Sequence, residues 1–229
     1  MQKVSRRHQE NRTKTKNIIF SNIDEAVKIL KETATAKFNE TVELHVNLNI
    51  DPKYADQQLR TTLTLPHGVG KSIKIAVLTN ENNISEAQTA GADIVGVDNL
   101  IEQISQGQID FDLLIATPDM MPKLAKLGRV LGPKGLMPSP KAGTVSTDLS
   151  ATIEEFKKGK LEYRADKTGI VHISFGKASF SEEQLTENLM AFWDSVQKNK
   201  PSGVKGKYVR KFTICSTMGP GVIIDEENI

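Results

Sequence analysis

Cysteine is scarce in this 229-residue sequence, and its scarcity excludes two kinds of protein. A lone cysteine, Cys215, cannot support a disulfide framework or a cysteine-rich zinc site, so a reducing compartment is expected. Cys215 stands in an alternating apolar run, which favours a buried small hydrophobe over a nucleophile. None of the four histidines has a motif tying it to Cys215, or metal-ligand spacing to another histidine. The sequence therefore predicts no metal site and no cofactor.

Long apolar runs and catalytic motifs are also lacking. No stretch approaches the roughly 20 apolar residues of a membrane helix, and residues 1–16 do not resemble a secretory signal. The segment 68–72 invites a phosphate-loop interpretation, but Leu65 stands where that motif requires glycine. Asp110, Asp112 and Asp119 have no partner histidine or metal motif, so solvated loop positions are expected for them. These absences predict no catalytic residues and no membrane partner.

Charge is unevenly distributed although the net charge is only +2. Residues 68–159 contain nine Lys and Arg against eleven Asp and Glu, whereas the rest of the chain contains 21 against 17. Basic ends beside a slightly acidic middle are typical of a polyanion-binding portion next to a neutral one. An ordinary fluctuation of surface charge is the alternative, and composition alone leaves it open.

The two ends of the chain share one structural pattern. An amphipathic helix is predicted over 23–37 and another over 181–197, and the strands 42–50, 62–65, 161–165, 170–173 and 208–217 alternate apolar with polar residues. A hairpin turn is predicted at 166–169. Such strands form a sheet with one face in the core and one in water.

The middle of the chain follows another pattern. Short, nearly continuous apolar strands at 75–78, 94–97 and 113–116 alternate with helical segments at 84–90, 99–106, 118–127 and 149–158, and a Pro- and Gly-rich loop is predicted at 131–143. This alternation is typical of a parallel sheet covered on both faces. The predicted fold is therefore an α/β two-domain chain. A discontinuous α+β domain with an antiparallel sheet and two helices (1–67 and 160–229) is interrupted by an inserted α/β, Rossmann-like three-layer domain (68–159).

Aromatic residues make up only 5% of the sequence, which argues against a module that stacks single-stranded bases. Any RNA bound is expected to be folded and read by shape, phosphate and 2′-hydroxyl contacts. Phe38 is an exception, because it follows the first helix out of step with the strand; a core position there remains open. The segment 217–221 has two glycines and a proline that leave backbone amides accessible, although a plain strand-ending turn is equally compatible.

Seven runs of sequence resemble one known family. They are AKFNET (36–41), LPHGVGK (65–71), ATPD (116–119), LGRVLGPKGLMP (127–138), PKAGTV (140–145), DKTG (166–169) and TMGP (217–220). In combination they resemble the L-one family of large-subunit ribosomal proteins, which builds the mobile stalk beside the tRNA exit site. The runs span nearly the whole chain.

The resemblance implies a structural, non-enzymatic constituent of the large ribosomal subunit, with both termini in one RNA-binding domain. It implies binding to the stalk helices of large-subunit ribosomal RNA, contact with exit-site tRNA, and possible repression of its own mRNA. The ribosome would be in the plastid (chloroplast) stroma or the bacterial cytoplasm. The RNA-binding residues it implies are Lys37, Phe38, Asp166, Lys167, Thr168, His172, Thr217, Met218 and Gly219.

Two alternatives remain at this stage. One is an α/β small-molecule-binding enzyme with a basic flanking domain, which requires a ligand pocket at the carboxyl ends of the parallel strands. The other is a ribosome-independent RNA chaperone or messenger regulator, which would use the same RNA-binding face.

Overall fold

The computed structural model describes residues 5–16 and 18–225; the outermost residues of the predicted end domain, 1–4 and 226–229, lie outside this part of the chain. The chain divides into two compact units, Met1–Gly70 with Leu161–Ile229 (the first unit) and Lys71–Lys160 (the second unit). None of the helices among the described residues is long and apolar enough to cross a membrane.

The first unit contains three helices and seven strands among its described residues. The helices are α1 Arg6–Thr15, α2 Ile23–Thr33 and α8 Glu182–Lys198, and the strands are β1 Ile19–Phe20, β2 Thr41–Leu48, β3 Arg60–Thr64, β7 Lys160–Arg164, β8 Ile170–Lys177, β9 Val209–Ser216 and β10 Val222–Ile224. Five of these strands form one sheet in the order β1-β10-β9-β2-β8, and β3 pairs with β7 in a two-stranded sheet.

One face of the five-stranded sheet is buried under α2 and α8. Leu44 and Val46 of β2 join Leu30 of α2 and Leu189 and Phe192 of α8 in one apolar core. Both helices begin at side-chain caps: the Asn22 carboxamide accepts the Asp24 N–H, and Ser181 forms a capping box with Gln184. The alternation along β2 therefore leaves its other residues on an uncovered face.

The predicted antiparallel sheet with two helices differs from the structure in two respects, an additional helix and a parallel strand pair. The buried residues of α1 are polar, Asn11 and Thr15, so the helix has no apolar stripe. Hydrophobic periodicity therefore could not predict it. The two-residue strand β1 pairs parallel with β10, which makes the sheet mixed. The predicted helix 23–37 also ends early, at Thr33, where the Asn11 carboxamide donates to the Thr33 carbonyl at 2.9 Å.

Two predicted connections differ as well. The segment 217–221 does not end the last strand but joins β9 to β10, which pair antiparallel. The turn at 166–169 does not join two strands of one ladder, because β7 pairs with β3 and only an isolated bridge, Ala165 to Val171, connects it to β8. Side-chain alternation predicts strands but not which strands pair.

In the described second unit the strands are β4 Ile75–Leu78, β5 Ile94–Gly96 and β6 Leu113–Ala116, and the helices are α3 Ile84–Thr89, α4 Asp98–Ser105, α5 Met121–Ala125, α6 Gly128–Lys134 and α7 Leu149–Lys157. The strands form a parallel sheet in the order β5-β4-β6. Ile75 and Val77 join a core with α3 and α7, whereas Ala76 and Leu78 join another with α4, α5 and α6. Part of the predicted loop 131–143 is helical, since α6 continues through Pro133. The mixed α/β content is confirmed.

Candidate nucleic-acid interface

The uncovered side of the sheet, which we call the open face, is a regular array of polar side chains on β9, β2 and β8. On β2, Val42, Leu44 and Val46 are buried while the residues between them are only half-buried. The cross-strand register places these residues in three rows: Ser174, Glu43 and Cys215; His172, His45 and Thr213; Ile170, Asn47 and Lys211. Only three of the nine side chains in these rows carry an aromatic ring or a large apolar group, and two of those are imidazoles.

At one end of the open face, the buried carboxylate of Glu40 joins two distant segments. Its Oε1 accepts the Ala36 N–H at 2.9 Å, and its Oε2 accepts the Met218 N–H at 2.9 Å and the Ser216 hydroxyl at 2.8 Å. Burial opposes ionisation, but these hydrogen bonds and the charge of Arg7 outweigh it and lower the pKa of Glu40. Sequence reasoning missed this role, although Glu40 lies within the AKFNET run.

Two residues of the turn after β9 are fixed by their neighbours. The Thr217 N–H donates to the Thr41 carbonyl at 3.1 Å, and the Thr217 hydroxyl accepts the Thr41 N–H at 3.0 Å. Gly219 donates its N–H to the Ser216 carbonyl at 3.1 Å, and a Cβ at Gly219 would lie 2.5 Å from the Ser216 hydroxyl. The backbone of the turn is therefore set by contacts within the protein.

Phe38 and Met218 are exposed at this end of the sheet, with 54% and 51% of their surfaces accessible. The core position considered for Phe38 is therefore wrong: the helix α2 ends at Thr33, and Phe38 lies in the loop before β2. Lys37, beside it, is also exposed. The structure thus brings Lys37, Phe38, Thr217, Met218 and Gly219 to one end of the open face.

The remaining predicted residues lie towards the opposite end. The Asp166 carboxylate accepts the N–H groups of Thr168 and Ile170, each at 2.8 Å, and the Thr168 hydroxyl. Burial opposes ionisation of Asp166, but these bonds and His172 lower its pKa. Lys167 is exposed in the same turn. Since β2 advances about 3.4 Å per residue, the two ends are roughly 24 Å apart.

His45 and Cys215 are in contact, which the sequence did not predict. The Nε2 of His45 lies 3.2 Å from the Cys215 Sγ, and its Nδ1 lies 2.8 Å from the Nδ1 of His172. Burial lowers the pKa of His45 and raises that of the Cys215 thiol; the charge of His172 adds to the first shift and that of Glu43 to the second. The expected burial of Cys215 as a core residue is wrong, because Phe212 and Ile214 take the core positions of β9 and leave Cys215 on the open face.

A basic cleft of about 440 Å³ adjoins the turn after β9. Its lining includes His8, Arg12 and Lys16 from α1 and its end, opposite Gly219 and Gly221. Sequence reasoning missed these cations because it did not predict α1. The basic run in residues 3–16 was the available signal.

In the second unit, polar side chains make local pairs. Lys71 bonds to Asp112 at 2.7 Å, which accounts for the lysine of the phosphate-loop-like segment. Asp112 is exposed, as predicted, and this ion pair is an addition to that prediction. At the carboxyl ends of β4 and β6, Asn80 donates to Asp119 at 3.2 Å, so Asp119 is also paired. These contacts tie loops together.

Comparisons with known proteins agree on one family. A model of the ribosomal protein L1p/L10e family matches residues 30–220. The chain is 71% identical over 225 residues to the large ribosomal subunit protein uL1c of Trieres chinensis, covering 98% of each chain. It is 70% identical over 227 residues to uL1c of Phaeodactylum tricornutum, covering 99% of each. It is 60% identical over 225 residues to uL1 of Prochlorococcus marinus strain MIT 9515, covering 98% of this chain and 95% of the relative.

Proposed function

Because this chain belongs to the ribosomal protein L1p/L10e family, we propose that it binds large-subunit ribosomal RNA through the open face of its first unit. Its relatives are structural proteins of the large ribosomal subunit rather than enzymes. The corresponding ribosome is that of a plastid or of the bacterial cytoplasm, because the relatives are plastid-type uL1c and bacterial uL1.

The observation that carries the proposal is a pair of exposed apolar side chains on a fixed backbone. Phe38 and Met218 project from segments whose amides are both bound by the Glu40 carboxylate. Single exposed apolar residues are common, but these two flank a backbone that need not be reordered when a ligand binds. Preorganisation reduces the entropic cost of association, which favours a binding surface here.

The kind of RNA follows from the side chains of the open face. Its rows carry Glu43, His45, Asn47, Thr213 and similar groups, with no Phe, Tyr or Trp on which bases could stack. Short polar side chains suit 2′-hydroxyl and backbone contacts in the shallow groove of a folded RNA helix. The proposed ligand is therefore a structured ribosomal RNA element, with His172, Asp166, Lys167 and Thr168 meeting its far part.

Phosphate affinity would come from the basic cleft. Arg12 and Lys16 line it beside Gly219, so phosphates passing the turn would meet cations. In this proposal, the cations of α1 and its end supply the salt-dependent attraction of RNA. The turn at Thr217, Met218 and Gly219 selects the shape of the RNA that binds.

By family resemblance we extend the proposal to the stalk. The bound RNA would be the stalk helices, and the protein would contact exit-site tRNA and assist release of deacylated tRNA. Its own mRNA, where it carries a similar fold, would compete for the same face and be repressed.

The test is a filter-binding titration of the full chain with a short stalk RNA. Phe38→Ala and Met218→Ala should each weaken binding about tenfold, because an exposed apolar side chain that becomes buried when RNA binds contributes about 1.4 kcal/mol or more. Met190→Ala is the matched control, since Met190 is also exposed (37%) but lies on α8, the helix that covers the core face of the sheet.

Wild-type affinity in both anchor variants would overturn the proposal. A leader fragment of the mRNA, added as competitor, separates ribosomal binding from messenger repression. Co-sedimentation with large subunits at moderate salt separates a ribosomal protein from an RNA chaperone acting alone.

A further inference from the structure

Three side chains of different chemistry converge on the open face. Glu43 and His45 are two residues apart on β2, so they point to the same side, and Cys215 of β9 is the register partner of Glu43. The His45 Nε2 lies 3.2 Å from the Cys215 Sγ and 3.9 Å from the Glu43 Oε2. The three potential ligand atoms all lie within 4.8 Å of one another.

We propose that Glu43, His45 and Cys215 form a binding site for a thiophilic divalent cation of the zinc class. Ligand atoms around one tetrahedral zinc ion are roughly 3.3–3.7 Å apart, given bonds of about 2.0–2.3 Å. The separations of 3.2 and 3.9 Å bracket that range, and the Glu43 oxygen and the Cys215 Sγ are at most 4.8 Å apart, so side-chain rotations that move these atoms by about 1 Å bring all three into place. A thiolate and an imidazole select Zn²⁺ over Mg²⁺ or Ca²⁺, which prefer oxygen ligands alone.

The surroundings of His45 match those of a metal-bound imidazole. Such an imidazole usually donates its second ring N–H to a neighbour that fixes the tautomer. The His45 Nδ1 lies 2.8 Å from the His172 Nδ1, and the His172 Nε2 lies 3.8 Å from the Asp166 Oδ2. With the proton of His45 on Nδ1, the lone pair on Nε2 points towards Cys215 and Glu43.

The proposed site is open to solvent, and its three side chains would fill only three of the four coordination positions of a tetrahedral ion. The side chains of His45 and Glu43 are 30% and 45% exposed, so an ion can reach them from solvent. Three protein ligands leave a fourth position for water or a ligand oxygen. Coordination releases the thiol proton of Cys215 to solvent, and the ion takes its place on the sulfur. The alternative is a simple thiol-to-imidazole hydrogen bond without a metal. Metal binding does not depend on the proposed RNA function, so either can fail alone.

Cobalt titration of the metal-free full chain tests the site. Since Cys215 is the only cysteine, a thiolate-to-cobalt charge-transfer band can arise from this residue alone. We expect one Co²⁺ per chain and loss of the band when Zn²⁺ is added. Cys215→Ser should abolish the band, and His45→Gln and Glu43→Gln should each weaken cobalt binding at least tenfold.

Two histidine variants distinguish loss of metal coordination at the proposed site from a general effect of removing a histidine. His172→Gln should weaken binding about 10- to 100-fold, as expected for a residue that orients a ligand. His67→Gln should leave it unchanged, because His67 pairs with Glu187 at 2.5 Å in the same unit but has no thiol nearby. Circular dichroism checks that each variant is folded.

Alkylation of Cys215 in the unsubstituted protein gives a second readout. Zn²⁺ should slow the reaction with iodoacetamide at least tenfold, and His45→Gln should remove that protection. Absence of the cobalt band, one ion per two chains, or alkylation unaffected by Zn²⁺ would each overturn the proposed site.

Discussion

A buried carboxylate is costly unless its oxygens receive hydrogen bonds, and Glu40 receives three. Two of the donors, Ser216 and Met218, lie more than 170 residues from it in sequence. One side chain therefore fixes the relative position of Phe38 and Met218, which no local pattern could have predicted.

Replacing Glu40 tests this role. Glu40→Gln should lower the free energy of unfolding by about 1–3 kcal/mol at neutral pH, since an amide nitrogen cannot accept these bonds. Urea denaturation measures the loss of stability, and Glu10→Gln, at an exposed glutamate, is the control.

Because the pKa of Glu40 is lowered on folding from its ordinary value of 4.5, the stabilisation that its carboxylate provides is present above that pH. The difference between wild type and Glu40→Gln should therefore shrink as the pH falls below about 4.5; a difference independent of pH would contradict the assignment.

Thr217 acts through Thr41. Its hydroxyl accepts the Thr41 N–H and lies 3.2 Å from the Thr41 carbonyl, so it holds the turn at the end of the sheet. Thr217→Val should weaken binding of stalk RNA about tenfold, because bound RNA would shield the unpaired Thr41 N–H from water, and a shielded unpaired amide costs about 1–3 kcal/mol. Thr217→Ser, which keeps the hydroxyl, should bind within about twofold of wild type in the same filter assay. Equal losses in both variants would assign the effect to the methyl group.

At the scale of elements, strong hydrophobic periodicity predicts helices and strands well, whereas elements with weak periodicity are missed. The strand β2 and the helix α8 alternate or repeat clearly, and both were predicted within a few residues. The helix α1 buries only polar residues, and β1 has two residues, so neither gave a signal. The pairing of β7 with β3, and the contact of His45 with Cys215, depend on register, which the sequence alone does not specify.

Gly169 offers a test of the turn that carries Asp166. It has φ +80, and an added Cβ would lie 3.1 Å from the Ile50 carbonyl and 3.2 Å from that of Leu48. Gly206, with φ +76 and no atom within 4 Å of an added Cβ, is a matched control in the same unit. Gly206→Ala should lose about 1 kcal/mol through left-handed strain alone. In the same urea titration, Gly169→Ala should lower the free energy of unfolding clearly more than Gly206→Ala does. Equal losses in the two variants would show that the neighbouring carbonyl groups move aside at no cost in stability.

For the whole molecule, the distribution of charge matters more than the net value of +2. Arg12 and Lys16 border the turn, whereas the exposed Lys126 and Lys141 belong to the second unit. Each phosphate contact contributes about 0.9 to the slope of log affinity against log salt. Arg12→Ala and Lys16→Ala should therefore each lower the slope for stalk RNA by about one. Lys126→Ala and Lys141→Ala should leave the slope unchanged. A smaller slope in either of these two variants would show that RNA contacts the second unit as well.

The position of β9 has a consequence for synthesis of the protein. This strand lies between β10 and β2 in the sheet, and Met218 follows it by two residues. A nascent chain grows from its N-terminus, so Glu40 can bond to Ser216 and Met218 only after a further 176 and 178 residues have been translated. A chain that terminates early lacks the centre of the sheet and the turn beside it. Such a chain lacks the turn through which we propose that the protein binds RNA, so we expect it not to bind large-subunit RNA.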